Sequence, residues 1–133
     1  MAEDDHGDQF LFKAAMDESD FSGVLTFVED GEELMDYLRR CGRELSTLPS
    51  CLVLDLKMPL MDGREALWEI RQEPAFRNLP IVVLTTSDLP QDKEYCMELG
   101  ASDFMTKPAS FDELISVMRR IQEIASSGLD AGK

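Results

Sequence analysis

Residues 52–63 read LVLDLKMPLMDG. Leu52, Val53 and Leu54 run without interruption into Asp55; Met58-Pro59 follows, and Asp62-Gly63 closes the segment. An unbroken apolar run of this length is the pattern of a strand covered on both faces, as in parallel sheets flanked by helices. An ionised carboxylate is costly to bury without a partner. Asp55 therefore belongs at the end of the strand, where other polar groups can reach it. Asp62 is placed to cap a helix from Gly63 to about Glu73, on which Ala66, Leu67 and Ile70 recur at helical spacing.

The same pattern continues outward. Ile81–Leu84 (IVVL) is a second wholly apolar strand, reached through a loop containing Pro74 and Asn78-Leu79-Pro80. Asp103–Thr106 (DFMT) is a short strand before Lys107-Pro108, and the β-branched and aromatic Val24–Val28 (VLTFV) also reads as a strand. Helical patterns lie between them. The first runs from Gln9 to about Met16, with Phe10, Leu11, Ala14 and Ala15 on one side; the next carries Leu34, Leu38, Cys41 and Leu45. A third starts at Ser87 or Asp88 and stops at Gly100, and the last spans Phe111 to about Ala125 with Leu114, Met118, Ile121 and Ala125 inward. Strands alternating with helices imply an α/β fold, a doubly wound parallel sheet with right-handed crossovers. The 133 residues suit one domain, 1–125, followed by a polar tail, 126–133.

With 13 basic and 27 acidic residues the net charge is −14, which offers nucleic acid no basic footprint. There is no apolar run of membrane-spanning length and no basic-then-apolar leader, so the expectation is a cytoplasmic protein without membrane contact. Three scattered cysteines, Cys41, Cys51 and Cys96, fit reduced thiols rather than a disulfide framework or a zinc site. Within AEDDHGD, Asp5 and Asp8 read as surface charge and His6 as a solvated residue at a helix start.

In open parallel sheets, ligands bind at the carboxyl ends of the strands. The first polar groups after the apolar strands are Asp55, Thr85 and Lys107, and the acidic Glu3-Asp4 opens the chain. Parallel strands would bring all of these to one rim. Several carboxylates together call for a hard divalent cation such as magnesium. A carboxylate can also attack phosphorus, and being ionised at neutral pH it needs no base. A cation, an ammonium and a hydroxyl would neutralise the transferring phosphoryl oxygens.

The ordered set Glu3-Asp4, Asp55, Met58-Pro59, Asp62-Gly63, Thr85 and Lys107-Pro108 resembles the receiver domain of two-component response regulators, over Glu3 to about Ile124. The resemblance implies a flavodoxin-like sheet of order 2-1-3-4-5. It implies that Asp55 accepts the phosphoryl group, that Thr85 and Lys107 bind its oxygens, and that Glu3, Asp4, Asp55 and the Lys57 carbonyl hold magnesium. It makes Thr85 and Phe104 the switch pair and Lys107-Pro108 a cis peptide. It implies a histidine kinase donor, no enzymatic activity beyond magnesium-dependent self-phosphorylation and autodephosphorylation, and output through a downstream protein, with room for a homodimer. VEDGEELMDYLRR and LTTSD are similar to single-domain receivers paired with phytochrome-type kinases. The alternative is a receiver-like interaction module that is never phosphorylated.

The pattern departs from the family at its beginning. Only Met1 and Ala2 precede Glu3, so the central first strand is missing or very short, and reduced stability follows relative to a chain extended by an apolar strand.

Overall fold

Strand β1 (Leu52–Leu54) pairs in parallel with β2 (Ile81–Thr85), and β2 with β3 (Asp103–Thr106), in a sheet of order β1-β2-β3. The computed structural model describes residues 1–19, 23–43, 48–58 and 61–131. Ala2 forms parallel bridges to both Val28 and Leu54. Read across the sheet, the order is therefore Val28, Ala2, β1, β2, β3, which is the expected 2-1-3-4-5 with its first two members reduced to single bridges. The fold is flavodoxin-like, and its first strand is indeed very short.

Backbone hydrogen bonds on both sides of Ala2 make this pairing. Ala2 N–H donates to Val53 O at 2.8 Å, Glu3 N–H to Val28 O at 2.9 Å and Val28 N–H to Met1 O at 2.9 Å. Among the described residues VLTFV, expected as a full strand, is bridged only at Val28, and Val24 is 91% exposed. The Met1 ammonium donates to Thr26 O at 2.5 Å, and burial lowers its pKa to about 6. Beyond it opens a cleft of about 420 Å³ lined by Val24, Thr26, Leu38, Leu52, Val53 and Met118.

The helices cover both faces. On one, α1 (His6–Glu18) and α5 (Phe111–Ala131) bury Phe12, Ala15, Met16, Leu114 and Met118 against Val53 and Leu84. On the other, α2 (Gly31–Arg43), α3 (Gly63–Gln72) and α4 (Pro90–Glu98) pack on Leu52, Leu54, Ile81 and Val83 through Leu34, Leu38, Leu67, Ile70 and Cys96. This alternation of faces is why β1 is apolar throughout and β2 is apolar up to Thr85 at its rim end.

Local chemistry sets the helix boundaries. Asp62 Oδ1 caps α3 through Glu65 N–H at 3.1 Å, as expected, and Asp30 and Ser110 cap α2 and α5 in the same way. Gly100, at φ 82, stops α4 in the left-handed region that suits glycine. Arg71 on α3 donates to the carbonyls of Leu99 and Gly100 beyond α4 and of Phe76 and Arg77 in the preceding turn.

Several details differ from expectation. The inner face of α1 is Phe12, Ala15 and Met16, with Phe10 73% exposed, because the helix begins at His6 and its docking on α5 fixes its rotation. Helix α4 begins at Pro90, a residue that suits the first helical position, and Ser87 is occupied elsewhere. Helix α5 continues to Ala131, through most of the segment expected as a tail. Leu45 and Pro59 lie outside the described residues.

Candidate functional site

The rim at the carboxyl ends of the strands gathers residues from four distant parts of the chain. Asp55 follows β1 and is 3% exposed; Glu3, fixed by the Ala2 bridges, is fully buried. Lys107 follows β3, and its N–H donates to Thr85 O at 2.7 Å, which holds it beside β2. Its Nζ lies 2.5 Å from Glu3 Oε1, 3.0 Å from Asp55 Oδ2 and 3.0 Å from Asp8 Oδ2. Burial alone would lower the pKa of this ammonium, but the pairing with Glu3, Asp55 and Asp8 outweighs it and holds the value above that of ordinary lysine.

Glu3, Asp4 and Asp55 each offer a carboxylate oxygen, all within 4.8 Å of one another, with Asp4 exposed. Burial raises the pKa of Glu3 against the opposing pull of Lys107. Although it faces Lys107, Glu3 Oε1 is buried and takes no well-oriented hydrogen bond among the described residues. Its partner among the described residues is thus the charge of the Lys107 ammonium, at 2.5 Å. A hard divalent cation takes carboxylate oxygens such as these three and needs no hydrogen-bond geometry. The donor set therefore fits a divalent cation.

The remaining expected residues are placed as follows. Lys57 is exposed, and its N–H donates to Asp55 Oδ1 at 3.1 Å, which fixes the acceptor loop. Gly63 is required beneath this loop, since a Cβ there would stand 2.3 Å from Asp55 O. Thr85 is fully buried, and its Oγ1 accepts from Ser87 N–H at 3.3 Å. Ser87 Oγ donates to the buried Asp92 at 2.5 Å, and Asp92 pairs with Arg64 Nε at 3.1 Å, so a polar chain runs from Thr85 through α4 to α3. Phe104 on β3 is half-buried against the core beneath α2, α3 and α4. The Lys107-Pro108 bond is trans, contrary to expectation; X–Pro bonds favour that form by about 0.5–1 kcal/mol.

Sequence reasoning missed Asp8, which it left as surface charge. The signal was its spacing. Asp5 caps α1 through Asp8 N–H at 3.0 Å, so Asp8 lies in the first helical turn, directly above the acidic pair. His6 is an exposed helix-start residue, as expected, and pairs with Glu29.

Response regulator Rcp1 of Synechocystis is 33% identical over 123 residues, covering 92% of this chain and 84% of its own. The Methanothrix harundinacea protein described as a probable methanogenesis regulatory protein, FilR2, is 32% identical over 123 residues, covering 92% and 79%. The phosphorylated cyanobacterial phytochrome response regulator RcpA superposes with a TM-score of 0.83 at 34% identity, over 95% of this chain and 91% of that one. The Mn(2+)-bound form of Rcp1 does so with a TM-score of 0.79. The family described as the response regulator receiver domain matches residues 1–119, the span that carries every rim residue from Glu3 to Lys107, and the chain belongs to that family.

Proposed function

We propose that the protein is a stand-alone phosphoacceptor of two-component signalling, working in the cytoplasm, in which Asp55 takes a phosphoryl group from the phosphohistidine of a histidine kinase. The observation that carries this reading is the position of Lys107. An ammonium from the far end of the chain lies 3.0 Å from a buried aspartate and also contacts the carboxylate that opens the chain.

The chemistry follows from these groups. A carboxylate oxygen of Asp55 attacks phosphorus; the N–P bond of the donor breaks, its electron pair stays on the imidazole, and an acyl phosphate forms. Lys107 is within reach of the new phosphoryl oxygens. Thr85 Oγ1 accepts from Ser87 N–H, which leaves its O–H to donate to the phosphoryl group. We assign Mg²⁺ to Glu3, Asp4, Asp55 and the Lys57 carbonyl, where it would neutralise charge on the transferring group. As Thr85 is drawn toward the phosphoryl, Phe104 repacks, and the surface around α4, β3 and α5 changes for a downstream protein. The likeness to Rcp1 and RcpA supports a phytochrome-type kinase as donor. Catalysis in this reading is limited to self-phosphorylation and autodephosphorylation.

The test is incubation with Mg²⁺ and acetyl phosphate, read by intact mass. A phosphoryl adduct on the wild type that is lost in Asp55→Asn supports the reading. No adduct, or an equal adduct on both, overturns it.

A further inference from the structure

The geometry points to Asp8 as a positioning residue that restrains phosphorylation by holding Lys107 in the unphosphorylated state. This inference rests on the phosphoacceptor reading of Asp55 and extends it.

An ammonium has three N–H donors. Those of Lys107 face three carboxylates, Glu3, Asp55 and Asp8. An incoming phosphoryl group needs at least one of them. Glu3 and Asp55 are buried members of the acidic cluster, and the phosphoryl forms on Asp55 itself. Asp8 stands outside that cluster. It comes from the first turn of α1, is 36% exposed at its side chain, and competes for Lys107 without contributing to the group being bound.

An exposed ion pair would ordinarily matter little. Here the lysine side chain is only 13% exposed and its charge is shared among fixed partners, so the contact is less screened than a surface pair. The partner of Asp8 is lost or weakened when Lys107 turns to the phosphoryl, and that loss is a cost borne only by the phosphorylated state. A residue whose interaction favours the ground state raises the barrier to the state that lacks it.

The test compares wild type, Asp8→Asn, Asp8→Glu, Lys107→Met and the double variant Asp8→Asn/Lys107→Met, all with Mg²⁺. Two quantities are read: the phosphorylation rate with acetyl phosphate, and the beryllofluoride concentration giving half-saturation. Asp8→Asn is expected to raise the rate and tighten beryllofluoride binding by about three- to tenfold, the range of one charge-assisted contact after solvent screening. Asp8→Glu, which keeps the charge, is expected to stay near wild type. In the Lys107→Met background, Asp8→Asn should change either quantity by less than about twofold, since contacting residues are non-additive when one acts through the other. An Asp8→Asn protein that matches wild type, or an effect that persists in full without Lys107, overturns the inference and leaves the phosphoacceptor reading intact. A wild type that takes neither acetyl phosphate nor beryllofluoride overturns both.

Discussion

Adding an apolar extended segment before Met1 should stabilise this protein, and the structure sets the scale. The perturbation is a three-residue prefix of Val and Ile placed directly ahead of Met1. Its backbone would continue between Thr26 and Val53, and its side chains would enter the cleft of about 420 Å³. Burying three such side chains is worth about 1.5–3 kcal/mol each. Ordering their backbone costs about 1–2 kcal/mol per residue. New backbone hydrogen bonds add about 1 kcal/mol each. The prefix also turns the Met1 ammonium, whose pKa burial has lowered to about 6, into a neutral amide already aimed at Thr26 O, which recovers about 1 kcal/mol at neutral pH. Even with the hydrogen bonds left out, the balance is a gain of about 3 kcal/mol, or a rise of about 10 °C in Tm for a domain of this size, and the hydrogen bonds add to it. Thermal and urea unfolding of the parent, the apolar prefix and a Gly-Ser prefix of equal length provide the measurement. An apolar prefix that melts within about 2 °C of the parent, or no higher than the Gly-Ser control, would refute the reasoning.

Other expectations follow from single groups. The Met1 amine has its pKa lowered from 8.0 to about 6, so the unfolded chain binds more protons across that window, and stability should rise between pH 6 and 8 by about 2 kcal/mol. His6, raised by Glu29, pulls the opposite way as pH climbs, so the difference between free and N-acetylated protein in urea titrations is the readout; no difference in slope would count against the buried amine. Gly63→Ala places a Cβ 2.3 Å from Asp55 O and should cost about 1–3 kcal/mol while weakening beryllofluoride binding, because relief of the clash moves the acceptor loop. Wild-type stability and binding in that variant would show the loop to be more yielding than its packing suggests.

Much of this was legible from LVLDLKMPLMDG and its counterparts. The runs Leu52–Leu54 and Ile81–Leu84 lack polar positions because helices cover both faces, and that alone led to the sheet and to the rim where Asp55 and Lys107 meet. The Asp62 cap and the Gly100 stop were readable because each depends on one residue's own backbone and side chain. The misses share a different cause. VLTFV has the composition of a strand, but strand formation needs a partner, and Ala2 supplies one bridge. The face that α1 buries is chosen by its docking on α5, so Phe10 could not be distinguished from Phe12 by spacing alone. Asp8 looked like one more solvated acid because its partner Lys107 lies at the other end of the chain.

The polar chain from Thr85 through Ser87 and Asp92 to Arg64 has a mechanical consequence. Helix α4 is tethered at its first turn to the hydroxyl-bearing loop and braced laterally by α3, while at its far end Arg71 grips the carbonyls of Leu99 and Gly100. A tug on Thr85 is thus transmitted to one end of a rod whose other end is anchored, and the rod must pivot rather than slide. Substitutions at Arg64 or Arg71, far from any reacting atom, would then alter how stiffly the rim resists being pulled.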